Sequence, residues 1–331
     1  MEIDFKDKSI EYFLLPGWTA LVLAFLSSIL FSIPLEVQLV PLTLSVILLG
    51  LPHGAVDHLI LPKALRESFS SRWAAYIALL YFLLGFLYLS AWFLTPLLSF
   101  VFFILITMYH WGRGELYHLE EVFNVELSKG SKWLAVLLRG SAPMLLPLVA
   151  FPDYYELFTE AVTSLFGVEG LSYLGIFFSQ EIRLAILAAY IVGMAVYFAD
   201  ILRANAAGRL WDGAELVLLT VFFLFTPPIF AVGIYFCFWH SLRHIMRYIH
   251  LDNSVDCCTD IYGLLSSFRS FTRDSFPLTA VSIIFLGIFY FAVPFTPQSL
   301  LELVGLYMVL VSVFTLPHMV VVQKLDFIQT I

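Results

Sequence analysis

The chain has 331 residues, of which 61% are hydrophobic and only 13% are charged. This charged share is about half that of an ordinary soluble domain, which excludes a soluble globular protein. The net charge is −8 and the sequence shows no basic face, so nucleic acid is not expected as a partner. The apolar runs are about 20 residues long and do not alternate, which favours membrane-spanning helices over a barrel. The sequence therefore predicts an all-α polytopic membrane protein.

Ten apolar segments follow one another along the chain. They cover residues 13–33, 37–60, 73–93, 97–117, 133–150, 182–203, 212–226, 229–249, 276–293 and 299–323. The seventh segment is short, and Pro227-Pro228 separates it from the eighth because proline cannot continue a helix. Residues 153–170 are moderately amphipathic and are interpreted as a surface helix. We expect one helical domain over residues 1–331, a bundle of about ten transmembrane helices.

Lysine and arginine residues cluster in alternate loops, whereas the loops near Pro34, Pro96 and Pro297 carry essentially none. Basic loops face the cytoplasm, so both termini are predicted to be cytoplasmic, with the bundle in the cell membrane. Arg139 and Arg183 are the exceptions to this pattern. Segments two, four, eight and ten then all run inward, which places their histidines at one depth near the cytoplasmic side.

The second segment carries His53, Asp57 and His58 inside an apolar run. Ionisable groups at membrane depth are costly, so they are candidates for a functional site. Residues four apart on a regular helix lie about 40° apart, so His53 and Asp57 share a face, whereas His58 lies about 140° round from His53. His53 and His58 cannot easily serve one site unless Pro52 or Gly54 distorts the helix.

His240 and His244 form the most informative pair. On a helix the two rings lie about 40° apart and roughly 6 Å apart along the axis, so both can bind one metal ion. Imidazole ligands suit iron, zinc, copper and nickel. His110 is alone on its segment, and a lone histidine is often only hydrogen-bonded across a helix interface. With His53 at the same depth, the pair predicts a buried metal site.

Several charged residues lie near these histidines. A ligating histidine usually donates its other N–H to a carboxylate, and Asp57 and Glu115 are available at that depth. Arg243 lies between the paired histidines and is a candidate site residue. Arg247, at the charged end of the same segment, is expected to extend to the lipid headgroups.

Aromatic residues make up 17% of the chain, and most are expected to pack between helices or at the membrane interfaces. Four of them flank His110 or closely precede His240, namely Tyr109, Trp111, Tyr235 and Trp239. These four are interpreted as part of an apolar tunnel that brings a hydrophobic substrate to the metal. His118 and His250 are expected at the membrane surface.

Three motifs carry a family resemblance. They are Pro52-His53-Gly54-Ala55-Val56-Asp57-His58, His110-Trp111-Gly112 and Trp239-His240-Ser241-Leu242-Arg243-His244. Together they resemble the motifs of the Brp/Blh family, membrane β-carotene 15,15′-dioxygenases of bacteria and archaea that supply retinal to microbial rhodopsins. The resemblance extends from the second segment to the tenth, and residues 150–210 offer no matching motif.

The resemblance implies a non-haem Fe²⁺ held by His53, His110, His240 and His244. It further implies that β-carotene from the bilayer is cleaved by dioxygen at its central double bond into two all-trans-retinal, which pass to a microbial rhodopsin. Residues expected around the metal or the substrate are Asp57, His58, Tyr109, Trp111, Glu115, Tyr235, Trp239, Arg243 and His318. His318 follows a proline, as the family pattern has it, but receives no clear ligand role.

Three other classes account for part of the pattern. A membrane di-iron desaturase or hydroxylase would need essentially all eight histidines, usually with adjacent His-His pairs, which this sequence lacks. A membrane cytochrome could hold haem b between His110 and His240. A transporter would show paired broken segments in two related halves, whereas Pro227-Pro228 is one break without a counterpart.

Overall fold

The computed structural model describes residues 10–168, 178–203, 208–251 and 261–329. These residues are almost entirely helical and contain no strand, which confirms the predicted all-α class. We number the helices in chain order. They are α1 Ile10–Leu30, α2 Leu35–Ala55, α3 Asp57–Ala64, α4 Ser71–Leu94, α5 Pro96–Val122, α6 Lys129–Ala150, α7 Pro152–Ser164, α8 Gln180–Arg203, α9 Arg209–Phe225, α10 Pro228–Leu251, α11 Ile261–Ala292 and α12 Leu300–Ile328.

Nine of the helices in the described part of the chain are long and apolar enough to cross a membrane. The sequence predicted about ten spans, one more than this number. The difference is the predicted span at 212–226, which corresponds to α9 and is not among the nine. That helix has 17 residues and buries two carboxylates, Asp212 and Glu215. The predicted surface helix at 153–170 corresponds to α7, and its last two residues lie outside the described ranges.

Helices α5 and α6 cross with their backbones in direct contact. A Cβ atom at Gly112 would overlap the carbonyl oxygen of Val136, and one at Gly140 would overlap the carbonyl oxygen of Met108. Small residues let membrane helices approach this closely, so both positions require glycine. The crossing lies beside His110 and fixes the segment of α5 that presents this histidine.

Helices α2 and α10 depart from regular α geometry close to His53 and at His240, respectively. Helix α2 contains a π-helical turn at Val46–Gly50, and α10 contains one at Phe236–Ser241. Such turns are rare and often occur at functional sites, because they re-aim side chains within a continuous helix. The chain also breaks between α2 and α3 at Val56 (φ −91°, ψ 1°). Asp57 therefore begins a new helix, and the spacing of a regular helix does not apply between it and His53.

Arg139, an exception to the predicted charge pattern, lies inside the bundle. Its side chain is fully buried and forms an ion pair with Asp212 of α9. The Tyr197 hydroxyl donates to the same carboxylate at 2.9 Å. A charge inside a membrane bundle must be paired, so Arg139 joins α6, α8 and α9 instead of facing the cytoplasm. The other exception, Arg183, donates to the carbonyl oxygen of Val149 at 3.0 Å.

Replacing Gly140 by alanine tests the α5–α6 contact. We expect the melting temperature of the detergent-solubilised protein to fall, because overpacking a close contact costs about 1–3 kcal/mol. The matched control is Gly287→Ala, since a Cβ there meets no atom within 4 Å. Its melting temperature should stay level or rise slightly, as alanine favours helix over glycine. Equal melting temperatures for the two variants would contradict the glycine requirement.

Candidate metal centre

Five histidine rings meet where α2, α5, α10 and α12 converge. They are His53, His110, His240, His244 and His318. Each is buried, with at most 8% of its surface exposed. Neighbouring ring centroids lie 4.8–5.4 Å apart. Four helices from distant parts of the chain therefore bring five imidazoles into one cluster, which we call the histidine cluster.

The ring nitrogens of this cluster lack ordinary partners. The Nε2 atoms of His110, His240, His244 and His318 are buried and have no hydrogen-bond partner among the described residues. Buried polar atoms are normally paired, so four such atoms in one place need an explanation. One ring nitrogen from each of His53, His110 and His318 lies within 4.8 Å of the other two. Two nitrogens bound to one metal ion lie up to about 4.2 Å apart, close to this separation, so these three side chains could hold a metal ion.

Two histidines have their tautomer fixed by a neighbour. The Nδ1 atom of His53 lies 3.2 Å from the carbonyl oxygen of Leu49 and 3.3 Å from the hydroxyl of Ser241. His318 Nδ1 donates to the Asp57 carboxylate at 2.8 Å. Carbonyl and carboxylate oxygens only accept, so Nδ1 carries the proton in both rings. The lone pair of Nε2 is then available to a metal, which is the usual arrangement of a ligating histidine.

The structure brings together all four histidines expected from the motifs and adds His318. No local sequence pattern could have paired His318 with Asp57, because the two residues are 261 positions apart in the chain. The available signal was its inward-running segment, which places it at the depth of the other histidines. Asp57 was expected to support a ligand and does contact a cluster histidine. It also accepts a hydrogen bond from the Tyr81 hydroxyl at 2.5 Å.

Neither His58 nor Tyr109, both expected around the metal or the substrate, belongs to the histidine cluster, although His58 forms part of the wall of the adjoining cavity. His58 Nδ1 lies 3.0 Å from the carbonyl oxygen of Ala55, and its ring packs edge-on against Phe69. Partial burial lowers the pKa of His58 below its ordinary value. Tyr109 packs against Trp133 and accepts a hydrogen bond from Gln323 at 3.3 Å.

An apolar cavity of about 500 Å³ reaches the histidine cluster. Four of the five cluster histidines form part of its wall, as do Asp57 and His58. The remaining wall is mainly aliphatic and aromatic and includes Ile77, Phe103, Leu278, Val281, Val311 and Phe314. A cavity of this size and polarity suits a hydrophobic small molecule. The cluster histidines therefore lie at one part of a mainly apolar chamber.

Trp111 and Tyr235, both expected near the site, lie one behind the other. The Trp111 ring forms part of the cavity wall, with its centroid 5.6 Å from that of His240. The Tyr235 ring is fully buried, 5.0 Å from Trp111. Trp111 can therefore touch a ligand, whereas Tyr235 supports Trp111.

Arg243 lies at the centre of a second buried group. Its Nη1 atom donates to Glu115 at 2.5 Å, and its Nη2 atom forms an ion pair with Glu215. The Trp239 ring lies 3.8 Å from the guanidinium, and its N–H donates to Glu115 at 3.1 Å. Glu115 was expected to support a ligating histidine, but it pairs with Arg243. This group joins α5, α9 and α10 and anchors the part of α10 that carries His240 and His244.

Two predictions about surface residues are wrong. His118 is buried, with 2% of its surface exposed. Arg247 does not extend to the headgroups, because it is buried and forms an ion pair with Asp326 of α12 at 2.8 Å. Arg113 of α5 binds the same carboxylate at 2.9 Å. His250, by contrast, is exposed, as expected.

The geometry weighs against two of the alternatives. The rings of His110 and His240 are only 5.0 Å apart, and His318 and His53 pack against them, which leaves no room for a porphyrin. A di-iron centre would need more histidines than the cluster holds, since His58, His118 and His250 contribute no ring to it.

Fold and site together define a multi-pass helical membrane protein with a buried histidine cluster beside an apolar cavity. The sequence profile described as β-carotene 15,15′-dioxygenase matches residues 44–326, and the chain belongs to this family. The match confirms the resemblance carried by the three histidine motifs.

Individual relatives agree with the family match. The probable β-carotene 15,15′-dioxygenase Blh of Halobacterium salinarum is 38% identical over 319 residues, 95% of this chain and 92% of the relative. The probable β-carotene 15,15′-dioxygenase Brp of the same organism is 26% identical over 314 residues, 89% and 86% of the two chains. A β-carotene 15,15′-dioxygenase of an uncultured marine bacterium is 28% identical over 200 residues, 60% and 65% of the two chains. No solved structure gives a significant match.

Replacing Arg243 by methionine tests the buried charge group. Two carboxylates would lose their partner, and breaking a buried pair costs about 3–5 kcal/mol, so the melting temperature should fall sharply. The control is Arg273→Met, because Arg273 is 77% exposed and its contacts with Asp274 and Ser270 are at the surface. An exposed pair contributes about 1 kcal/mol or less, so this variant should melt close to wild type. A similar fall in melting temperature in both variants would show that the buried ion pairs of Arg243 stabilise the protein no more than an exposed pair does.

Proposed function

We propose that this protein cleaves β-carotene with dioxygen at the central 15,15′ double bond, giving two molecules of all-trans-retinal, at a non-haem Fe²⁺ held by His53, His110, His240 and His244. The observation that carries the proposal is the set of unpartnered imidazole nitrogens beside an apolar cavity, in a chain of this family. The names of the relatives support a carotenoid as the substrate.

The histidines suit a ferrous ion because imidazole is a good ligand for iron, and the carboxylate contact of His318 is typical of protein metal centres. A bound Fe²⁺ would supply the activation of dioxygen. The protein's part is to hold its rings rigid. The α5–α6 contact fixes His110, and the Arg243 group fixes His240 and His244.

β-Carotene is a hydrocarbon, so its binding site needs apolar walls and no polar recognition. The cavity meets this need along α4, α11 and α12, which contribute Ile77, Val281 and Val311 among others. Leu278, on the cavity wall in α11, is 40% exposed on the outer surface of the bundle. We infer that the polyene enters sideways from the bilayer between α11 and its neighbours.

Aromatic rings position the reacting bond and keep water away. Phe236 forms part of the cavity wall, with its ring nearly parallel to that of His240 at 5.9 Å and edge-on to that of His53 at 5.6 Å. Trp111 covers His240 from another side. Rings in these places hold the flat polyene in register with the metal and exclude water from the reaction.

The nine apolar helices support a position within a lipid bilayer. We propose the cell membrane, with both termini in the cytoplasm. Retinal released from the cavity would then enter the same bilayer, where a microbial rhodopsin can take it up.

Expression in a bacterial strain that accumulates β-carotene tests the function. Chromatography of extracted pigments should show loss of carotene and appearance of retinal. His240→Ala should abolish retinal formation and iron retention, because it removes one of the four proposed ligands. His250→Ala, a substitution at an exposed histidine, should behave like wild type. The proposal fails if the wild-type protein is in the membrane, holds iron and leaves β-carotene intact.

A blocked cavity should separate substrate binding from metal binding. Val311 forms part of the cavity wall on α12, so Val311→Trp should lower retinal formation at least several-fold while iron content stays unchanged. Leu79→Trp is the control, because Leu79 is 57% exposed on the outer face of α4. Full turnover by Val311→Trp would show that the substrate does not occupy this cavity.

A further inference from the structure

His318 occupies a place in the histidine cluster equivalent to that of the motif histidines. Its ring centroid lies 5.1 Å from that of His53, 4.8 Å from that of His110 and 5.1 Å from that of His244. These distances match those between the motif histidines themselves, such as 5.4 Å between His53 and His240. His318 is 5% exposed, as buried as the others.

The two nitrogens of His318 differ in their surroundings. Nδ1 donates to the Asp57 carboxylate, and Asp57 also accepts from the Tyr81 hydroxyl. Nε2 has no hydrogen-bond partner among the described residues. A histidine that only joins helices would be expected to satisfy both nitrogens, because an unpaired buried polar atom costs about 1–3 kcal/mol. Here one nitrogen is held by a carboxylate and the other is left open toward the cluster, which is how a metal ligand is arranged.

The helix that carries His318 is tied to the helices of the other ligands. About two turns beyond His318, Asp326 pairs with Arg113 of α5 at 2.9 Å and with Arg247 of α10 at 2.8 Å. These buried ion pairs set the position of α12 against the helices that carry His110 and His244. His318 therefore reaches the cluster from a fixed helix.

We propose that His318 is a fifth imidazole ligand of the metal, with Asp57 and Tyr81 as the positioning residues that orient it. The proposal rests on the metal centre of the proposed function and enlarges its ligand set. The bound ion would then have five imidazole ligands from the protein instead of four. The Asp57 carboxylate accepts the N–H of His318 on the side of the ring opposite Nε2, which would strengthen Nε2 as a ligand.

The experiment counts ligands on the purified full-length protein loaded with iron. X-ray absorption at the iron edge should give one more imidazole per iron in the wild type than in His318→Ala. The control is His118→Ala, because His118 is equally buried and also has an unpartnered ring nitrogen, yet lies outside the cluster. This control should keep the wild-type count.

A chelator challenge adds a measurement that does not depend on counting. His318→Ala should lose iron to the chelator more readily than wild type, and free imidazole should restore retention by filling the space left by the ring. Imidazole should have no such effect on His118→Ala. A loss of retention that imidazole does not restore would assign His318 to packing and overturn the proposal.

Asp57→Asn tests the positioning role while keeping the size of the side chain. Iron affinity should fall about 10–100-fold with the imidazole count unchanged, as is usual when the outer partner of a ligand is removed. Tyr81→Phe should weaken affinity in the same direction by less. Unchanged affinity in both variants would remove Asp57 and Tyr81 from the proposal.

The outcomes separate this proposal from the proposed function. A wild-type protein with five imidazoles on iron and no cleavage of β-carotene supports the fifth ligand and refutes the activity. If the wild-type protein cleaves β-carotene and its iron has four imidazoles, and His318→Ala has the same number, the activity is supported and the fifth ligand is refuted. A wild-type protein that binds no metal overturns both.

Discussion

Polar groups buried in an apolar medium need partners, and this constraint accounts for most of the architecture described above. Arg139 pairs with Asp212, Arg243 with Glu115 and Glu215, and Asp326 with two arginines. Each of these groups joins helices that are far apart in sequence. In a bilayer the apolar surfaces of helices gain little from meeting one another, so such pairs and the close glycine contacts decide which helices are neighbours.

In the histidine cluster, by contrast, buried polar atoms lack partners within the described part of the protein. Four ring nitrogens of the cluster are buried without a hydrogen-bond partner among the described residues. The rest of the molecule holds them there, since the ion pairs of Arg243 and Arg247 tie α10 to its neighbours, and π-helical turns lie beside His53 and at His240. A site that keeps several imidazoles close without satisfying them is arranged for a cation.

Much of the site could be read from the sequence, and the exceptions have a common cause. The i, i+4 spacing of His240 and His244 and the shared depth of His53 and His110 indicated a metal site. The sequence misplaced His118 and Arg247 and gave His318 a depth but no role, because each depends on a packing contact with a distant helix. Arg247 is an example, since its partner Asp326 is on another helix and no spacing rule links them. Depth can be inferred from topology, but the rotation of one helix against another cannot.

The same reasoning covers the fold. Helical class follows from composition and from the length of the apolar runs. The short helix α9 was expected to span the membrane on its hydropathy, but its two buried carboxylates serve Arg139 and Arg243. Acidic residues in an apolar segment need internal partners, but the sequence alone does not identify them.

The order of the ligands along the chain has a consequence for biogenesis. The cluster draws His53 from the second helix and His318 from the last, with His110, His240 and His244 between them. A chain that enters the membrane helix by helix therefore cannot complete the cluster until α12 is in place. If the cluster binds a metal as proposed, loading would follow the insertion of α12, and a protein arrested before that step would carry a cavity beside an incomplete cluster.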